Sequence, residues 1–273
     1  MAKPALNKDT RLCISLAARP SNIGTRFHNY LYEQLGLDFI YKAFTTTDIA
    51  AAIGGVRALG IRGCSVSMPF KQDVLALVDH VEESARAINA VNTIVNDDGV
   101  LTACNTDYIA VQRLIAEHDI DPHDGVLIRG SGGMASAVAT AFRDSGFGEG
   151  TIVARNPKTG APLAERLGYD WRREVGELRA QVIVNVTPIG MSGGSEEHEP
   201  AFDSDVIASA RVVFDVVALP SETPLIAAAR AAGKRVITGA EVIALQAAEQ
   251  FERYTGVRPS AEQVAEASAF SRA

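Results

Sequence analysis

The stretch Gly125-Val-Leu-Ile-Arg-Gly130-Ser-Gly132-Gly133-Met134-Ala limits what this chain can fold into more than any other part of its sequence. An apolar run enters a glycine turn, and an alanine-rich helical segment begins at once. Further on, a second apolar run, Gly150-Thr-Ile-Val-Ala154, leads into Arg155 and Asn156. Three glycines alone would equally make an ordinary strand-to-helix turn. In the order strand, glycine turn, helix, strand they describe the βαβ unit that holds a dinucleotide. There the glycines permit a tight turn and close backbone approach, and the helix N-terminus faces a pyrophosphate. The end of the second strand then selects the cofactor. A carboxylate there suits a ribose 2′-hydroxyl, whereas Arg155, with Lys158 just beyond, suits a 2′-phosphate. The expected cofactor is NADP(H).

From residue 125 the alternation is regular, with strands expected near 126–129, 151–154, 182–185, 212–217 and 235–238 and helices between them. That rhythm describes a doubly wound parallel sheet. Residues 11–107 alternate less evenly. Strands are expected at 11–17, 39–44 and 64–68, and helices at 25–35, from the Thr47-Asp48 cap to 59, at 72–78 and at 82–88. Asn96-Asp97-Asp98-Gly99 predicts a tight turn joining strands 90–95 and 100–103 into a hairpin. A helix over 107–118 links the halves, Pro122 marks a boundary, and 241–272 is helical with a break at 255–259. The glycine- and carboxylate-rich segment 190–199 reads as a mobile loop. The fold class is α/β with two domains. A mixed-sheet substrate-binding domain spans 1–107 plus 240–273, and a Rossmann-type NADP-binding domain spans 108–239, the C-terminal helices returning to the first domain.

Charge and cysteine usage narrow the function classes. The 273 residues carry a net charge of −7 and no basic block, which argues against nucleic acid and anionic membranes as partners. No apolar run reaches the length of a membrane span, and Met1-Ala2-Lys3-Pro4-Ala5 lacks a signal-peptide apolar core. Cys13, Cys64 and Cys104 are odd in number and scattered, as buried thiols of a cytoplasmic protein are. The histidines at 28, 80, 118, 123 and 198 share no ligand spacing, and no metal site is expected. His28, beside Phe27 and Tyr30 on a helix, reads as packing rather than as a base. The partner is a small molecule, and monomer and homodimer both remain open.

Residues that carry chemistry cluster at expected strand ends, where α/β proteins place ligands. Ser65-Val-Ser67-Met-Pro69-Phe-Lys71 puts a lysine behind a proline-fixed turn; Asn89-Ala-Val-Asn92-Thr93 and Cys104-Asn105-Thr106-Asp107 place amides, hydroxyls and a carboxylate at the hairpin ends. Side by side, Lys71 and Asp107 would make an ammonium–carboxylate pair able to move a proton at a carbinol oxygen. Apart, Lys71 would be a surface lysine and Asp107 a helix cap.

These blocks resemble those of the shikimate dehydrogenases. Ser65–Lys71 is similar to the family's Asn-Val-Thr-x-Pro-x-Lys segment. Ala90-Val-Asn92-Thr, Asn105-Thr-Asp107, Gly130-Ser-Gly-Gly133, Ala154-Arg155-Asn156, Asn185-Val-Thr-Pro-Ile-Gly-Met191 and Gln246-x-x-x-Gln250-Phe251-x-x-Tyr-Thr-Gly256 match the rest in order, over about residues 12–270. The resemblance implies oxidation of a secondary alcohol on a shikimate-like ring, or the reverse reduction, with Lys71 as acid/base and Asp107 as its partner. Asn92 and Gln246 would bind ring hydroxyls, and Ser67 would stand where the family has a substrate-binding threonine. Gly130, Ser131, Gly132, Gly133 and Met134 would line the pyrophosphate, and Arg155, Asn156 and Lys158 the 2′-phosphate end. Thr187, Met191, Val216 and Gly239 would lie along the ribose and nicotinamide.

The chain departs from the family pattern at the substrate carboxylate. Where the family carries Ser-x-Ser-Pro ahead of its histidine, this chain reads Asn22-Ile-Gly24-Thr25-Arg26-Phe-His28. Ala218 replaces a family tyrosine, and Ser65 an asparagine. Ser21, Asn22, Thr25 and Arg26 are the candidate replacements, with Asn22 and Thr25 taken as substrate-binding. The pattern is similar to the shikimate dehydrogenase-like subgroup, and it leaves quinate or aminoshikimate as alternative substrates and a non-catalytic NADPH-binding regulator as an alternative role.

Overall fold

The structure is a computed structural model and describes residues 3–272. Met1, Ala2 and Ala273, and with them the ends of the N-terminal stretch and of segment 240–273 read above, lie outside the described residues. The chain forms two compact units, one running to Thr106 and resuming at Ala244, the other Asp107–Ile243.

In the first unit β1 (Arg11–Ala17), α1 (Ile23–Gln34), β2 (Phe39–Thr45), α2 (Ile49–Ala58) and β3 (Gly63–Val66) form two crossovers around β1, which pairs in parallel with both β2 and β3. The Asp48 carboxylate accepts from Ala51 N at 2.9 Å and so starts α2 as its position in the sequence predicts. A 3₁₀ turn (Asp73–Leu77), β4 (His80–Val81) and a single-turn α3 (Glu83–Arg86) lead to the hairpin β5 (Thr93–Asp97) and β6 (Val100–Cys104). Its turn places Asp98 and Gly99 at φ 50° and 91°, the consecutive left-handed pair that matches strand twist. The sheet order is β2-β1-β3-β5-β6-β4, with β5 antiparallel to β3 and β6. The start of β5 and the end of β6 therefore lie at the same sheet end as the ends of β1 and β3.

Helix α4 (Thr106–Glu117) opens the second unit. There β7 (Val126–Arg129), α5 (Gly133–Asp144), β8 (Gly150–Val153), α6 (Pro157–Leu167), β9 (Asp170–Arg172), β10 (Val182–Asn185), α7 (Ser204–Ser209), β11 (Val212–Asp215), α8 (Pro224–Ala231) and β12 (Arg235–Ile237) follow in turn. All six strands are parallel, in the order β12-β11-β10-β7-β8-β9. The winding reverses between β7 and β10, the switch point of a Rossmann sheet. Helix α9 (Gly239–Thr255) starts in the second unit and ends in the first, where α10 (Ala261–Arg272) also belongs.

The first sheet has an apolar layer on each face. Ile14, Leu16, Val66 and Ile94 pack with Ile53 and Val56 of α2 on one side. Cys13, Tyr41 and Val95 pack with Phe27, Leu31 and Tyr32 of α1 and Phe251 and Tyr254 of α9 on the other. Helix α9 comes close because Gly63 has no side chain: a Cβ there would stand 2.3 Å from the Tyr254 ring.

Several elements are shorter than the sequence predicts. The strand expected to reach Met68 ends at Val66, because Ser67 N and Ala18 N bond to Leu16 O and Met68 O and draw the chain across the end of β1. Segment 72–78 winds as a 3₁₀ turn and 82–88 as one helical turn. The strand near 212–217 stops at Asp215, whose carboxylate takes the Val217 N–H at 3.0 Å. Loop 190–199 is cross-tied: Gly190 N bonds to Glu196 O, and the Glu197 carboxylate accepts from Ser192 Oγ and Gly193 N. No helix among the described residues is long and apolar enough to cross a membrane.

Candidate active site

The glycine turn of the second unit makes its groove. Gly130 sits at φ 131°, and a Cβ there would fall 2.7 Å from Val186 Cγ2 and 2.9 Å from Val186 O, so only glycine lets β7 turn beside β10. Gly132 is the N-cap of α5 and makes no side-chain cap bond. A Cβ on Gly132 or Gly133 would meet nothing within 4 Å. Unclaimed backbone N–H groups thus face open space at a helix N-terminus, the setting that holds a phosphate.

A cavity of about 640 Å³ opens from this turn, and Gly130, Ser131, Gly132, Arg155, Asn156 and Thr187 line it. The wall of that cavity also includes Arg129, Arg173, Glu174 and Asp203, which sequence reasoning did not single out. Ser131 Oγ and Thr159 Oγ1, 2.7 Å apart, tie the turn to α6, and Asn156 caps α6 by accepting from Lys158 N at 3.0 Å. The Arg129 guanidinium donates to Ala201 O; burial lowers its pKa, Glu196 and Asp203 oppose that shift, and Arg155 reinforces it. Backbone donors at one end and guanidinium groups at the other fit a dinucleotide that carries a further phosphate on its ribose.

Other expected cofactor residues lie outside that wall. Gly133 and Met134 are the first residues of α5, Lys158 is exposed in the first turn of α6, and Met191 is exposed. Val216 follows β11, its N–H on Asn185 O. A Cβ on Gly239 would lie 2.4 Å from the carbonyl oxygens of Val216 and Val217, so close packing of α9's first residue explains that glycine. Behind these loops Asp215 accepts from Thr223 Oγ1 (2.6 Å), Asn185 Nδ2 (3.0 Å) and Val217 N, while burial raises its pKa. The same Asn185 accepts from Thr187 Oγ1 at 2.6 Å, which fixes the Thr187 hydroxyl.

In the first unit Ser67, Lys71, Asn92, Gln246, Asn22 and Thr25 come from segments that meet at one sheet end. Val91 N donates to Lys71 O (2.7 Å) and Val66 N to Asn92 O (2.8 Å), holding the lysine turn against the start of β5. Ser67 is exposed and Lys71 half-buried. Asn92 is buried, and its Oδ1 accepts from Thr93 Oγ1 (2.8 Å), Thr106 N (2.8 Å) and Thr106 Oγ1 (3.1 Å). Both threonine hydroxyls donate to that oxygen, so both are left to accept: Thr93 Oγ1 from Gln250 Nε2 at 2.9 Å, Thr106 Oγ1 from Gln246 Nε2 at 3.3 Å. With Oδ1 saturated, Nδ2 is the Asn92 group left to reach a ligand. Asp107 follows Thr106 as the second residue of α4 and is half-buried. The motifs that contain Thr93, Thr106 and Gln250 do not by themselves reveal these bonds; Gln246 and Gln250, four apart on one helix face, are the signal the sequence carries.

Around the altered serine segment, Asn22 is the N-cap of α1 and makes no side-chain cap bond, and Thr25 Oγ1 is buried without a hydrogen-bond partner. Arg26 is engaged elsewhere, its guanidinium 5.0 Å from the Phe270 ring. A Cβ at Gly24 would stand 3.6 Å from Tyr41 Oη, and that hydroxyl interacts with Ser15 and Ser65 while burial raises its pKa. His28 is wholly buried and stacks on Tyr41 at 4.4 Å. Burial lowers its pKa to about 3, with nearby Gln250 offsetting only part, which suits a packing residue and not a base.

The model of the shikimate dehydrogenase substrate binding domain matches residues 22–94. Over 267 residues the chain is 58% identical to a shikimate dehydrogenase-like protein of Haemophilus influenzae, covering 98% of each. Among solved structures, a shikimate 5-dehydrogenase-like protein superposes with a TM-score of 0.97 at 57% identity, covering 98% of this chain and 100% of the other. The shikimate 5-dehydrogenase of Thermus thermophilus, in complex with NADP(H) and shikimate, superposes with a TM-score of 0.85 at 27% identity, covering 96% and 99%.

Proposed function

This chain belongs to the shikimate dehydrogenase family, and we propose that it is an NADP-dependent oxidoreductase interconverting shikimate and 3-dehydroshikimate, or a close cyclic hydroxy acid. The observation that carries this reading is the groove of the second unit, where an uncapped α5 N-terminus and Arg155 at the end of β8 line one cavity. The backbone N–H groups of the glycine turn hold the pyrophosphate, and Arg155 holds the 2′-phosphate. Bound nicotinamide supplies hydride exchange at carbon. Lys71 takes the hydroxyl proton as that carbon becomes a ketone and returns it in reverse, with Asp107 as its carboxylate partner. Asn92 Nδ2 and Gln246 orient the ring hydroxyls.

A second reading within the family keeps the chemistry and changes the ring substituents. Gly24 and Asn22 in place of the two serines, with Tyr41 Oη next to the Gly24 position, favour a substrate whose carboxylate end differs from that of shikimate. Reduction of NADP⁺ followed spectroscopically with shikimate, quinate and aminoshikimate tests both readings. Turnover on one of them, lowered roughly 10²–10⁴-fold in Lys71→Met with cofactor affinity unchanged, is the expected result. NADPH binding without turnover on any of them would replace this reading with a non-catalytic regulator.

A further inference from the structure

We infer that Arg173, and not Lys158, is the second cation that makes this groove selective for a 2′-phosphate. The inference rests on the NADP reading above and assigns a specificity residue within that site. Arg173 follows β9, the edge strand beside β8. The last ladder pair is Val153↔Arg172, and Ala154 N still bonds to Arg172 O at 3.0 Å. The chain therefore leaves β8 and β9 together, and Arg155 and Arg173 emerge at the same end of neighbouring strands, both on the cavity wall. In this fold the end of β8 faces the ribose hydroxyls of the adenosine half, while the α5 N-terminus takes the pyrophosphate. Arg173 is thus on the ribose side.

The charges around the cavity separate its three guanidinium groups. Arg129 is engaged with Ala201 O and faces Glu196 and Asp203. Arg155 and Arg173 enter no ion pair with an acidic side chain among the described residues, and Glu174 is the carboxylate beside them on the wall. Two exposed guanidinium groups at one mouth, in a chain of net charge −7, are groups an added phosphate would satisfy with charge-assisted hydrogen bonds. Lys158 sits in the first turn of α6 and does not line the cavity.

Calorimetric titration of the full chain and of Arg173→Gln, Arg173→Lys and Lys158→Gln with NADP⁺, NAD⁺ and adenosine 2′,5′-bisphosphate tests this. Arg173→Gln is expected to weaken NADP⁺ and the bisphosphate about tenfold or more and to leave NAD⁺ within about twofold. Arg173→Lys recovers part of the loss, and Lys158→Gln stays within about threefold. Unchanged NADP⁺ affinity in Arg173→Gln, or an equal loss for NAD⁺, would overturn the assignment. A wild-type protein that binds NAD⁺ as well as NADP⁺ would overturn the cofactor reading itself, which separates the two failures.

Discussion

On the proposed function, the groove of the second unit and the polar end of the first would recognise ligands by opposite means. The groove is open, and its donors are backbone N–H groups and guanidinium side chains that few protein groups claim. The Asn92–Thr93–Thr106 cluster is buried and neutral, and nearly every donor and acceptor in it is spoken for before a ligand arrives. A phosphate carries its own charge, so cations that stay hydrated until binding suffice. Distinguishing hydroxyls on a ring needs donors whose direction is fixed, and the cluster fixes them by saturating their other lone pairs.

The sharpest way to break that contrast is Gly130→Val. At φ 131° with Val186 O within 2.9 Å of the new Cβ, the turn is forced apart. Calorimetry should show cofactor binding roughly a hundredfold weaker or worse, with the first unit's stability unaffected. Asn92→Ala attacks the other side. It strands Thr106 N and two hydroxyls and should destabilise the first unit by about 2–3 kcal/mol in denaturant unfolding, with NADP⁺ affinity unchanged. Asn92→Asp keeps the triple acceptor and loses the Nδ2 donor but puts a carboxylate into a buried, neutral cluster, so stability should return only in part while the KM for the hydroxy acid stays raised. If Asn92→Asp restores KM as well, the outward amide has no role.

A smaller effect comes from His28 beneath that cluster. Its pKa is about 3 when folded and near 6.5 when unfolded, so between those values the unfolded chain binds the proton that the native chain refuses. Stability from this group is complete above about pH 6.5 and falls as the pH drops toward 3. Wild type should lose about 2 kcal/mol more than His28→Phe between pH 7.5 and pH 5. Parallel slopes for the two would mean that His28 protonates without unfolding its surroundings.

The same contrast explains what the sequence made legible. The doubly wound sheet follows from apolar runs separated by helical segments, and its glycine turn from residues next to one another in the chain. Arg155 was readable because it ends a strongly apolar strand. Arg173 was not, because Asp170-Trp171-Arg172 is a three-residue edge strand with charges at both ends and no apolar alternation, so nothing put it beside β8. In the first unit the individual residues Asn92, Thr93 and Thr106 stood out, but the bond from Gln250 to Thr93 joins positions 157 apart. Which hydroxyl donates and which accepts is a property of that long-range pairing. Gly24 likewise reads as a loss of a serine, and only the fold reveals Tyr41 Oη beside it.

Hydride transfer is most directly tested with shikimate bearing deuterium on the carbon that becomes the ketone, incubated with NADP⁺ and the wild-type protein. Mass analysis of the reduced cofactor should show the deuterium on the nicotinamide ring, with no transfer in Lys71→Met over the same time. Reduced cofactor without deuterium would contradict the proposed reaction, and no reduction with shikimate, quinate or aminoshikimate would remove this chain from the active members of its family.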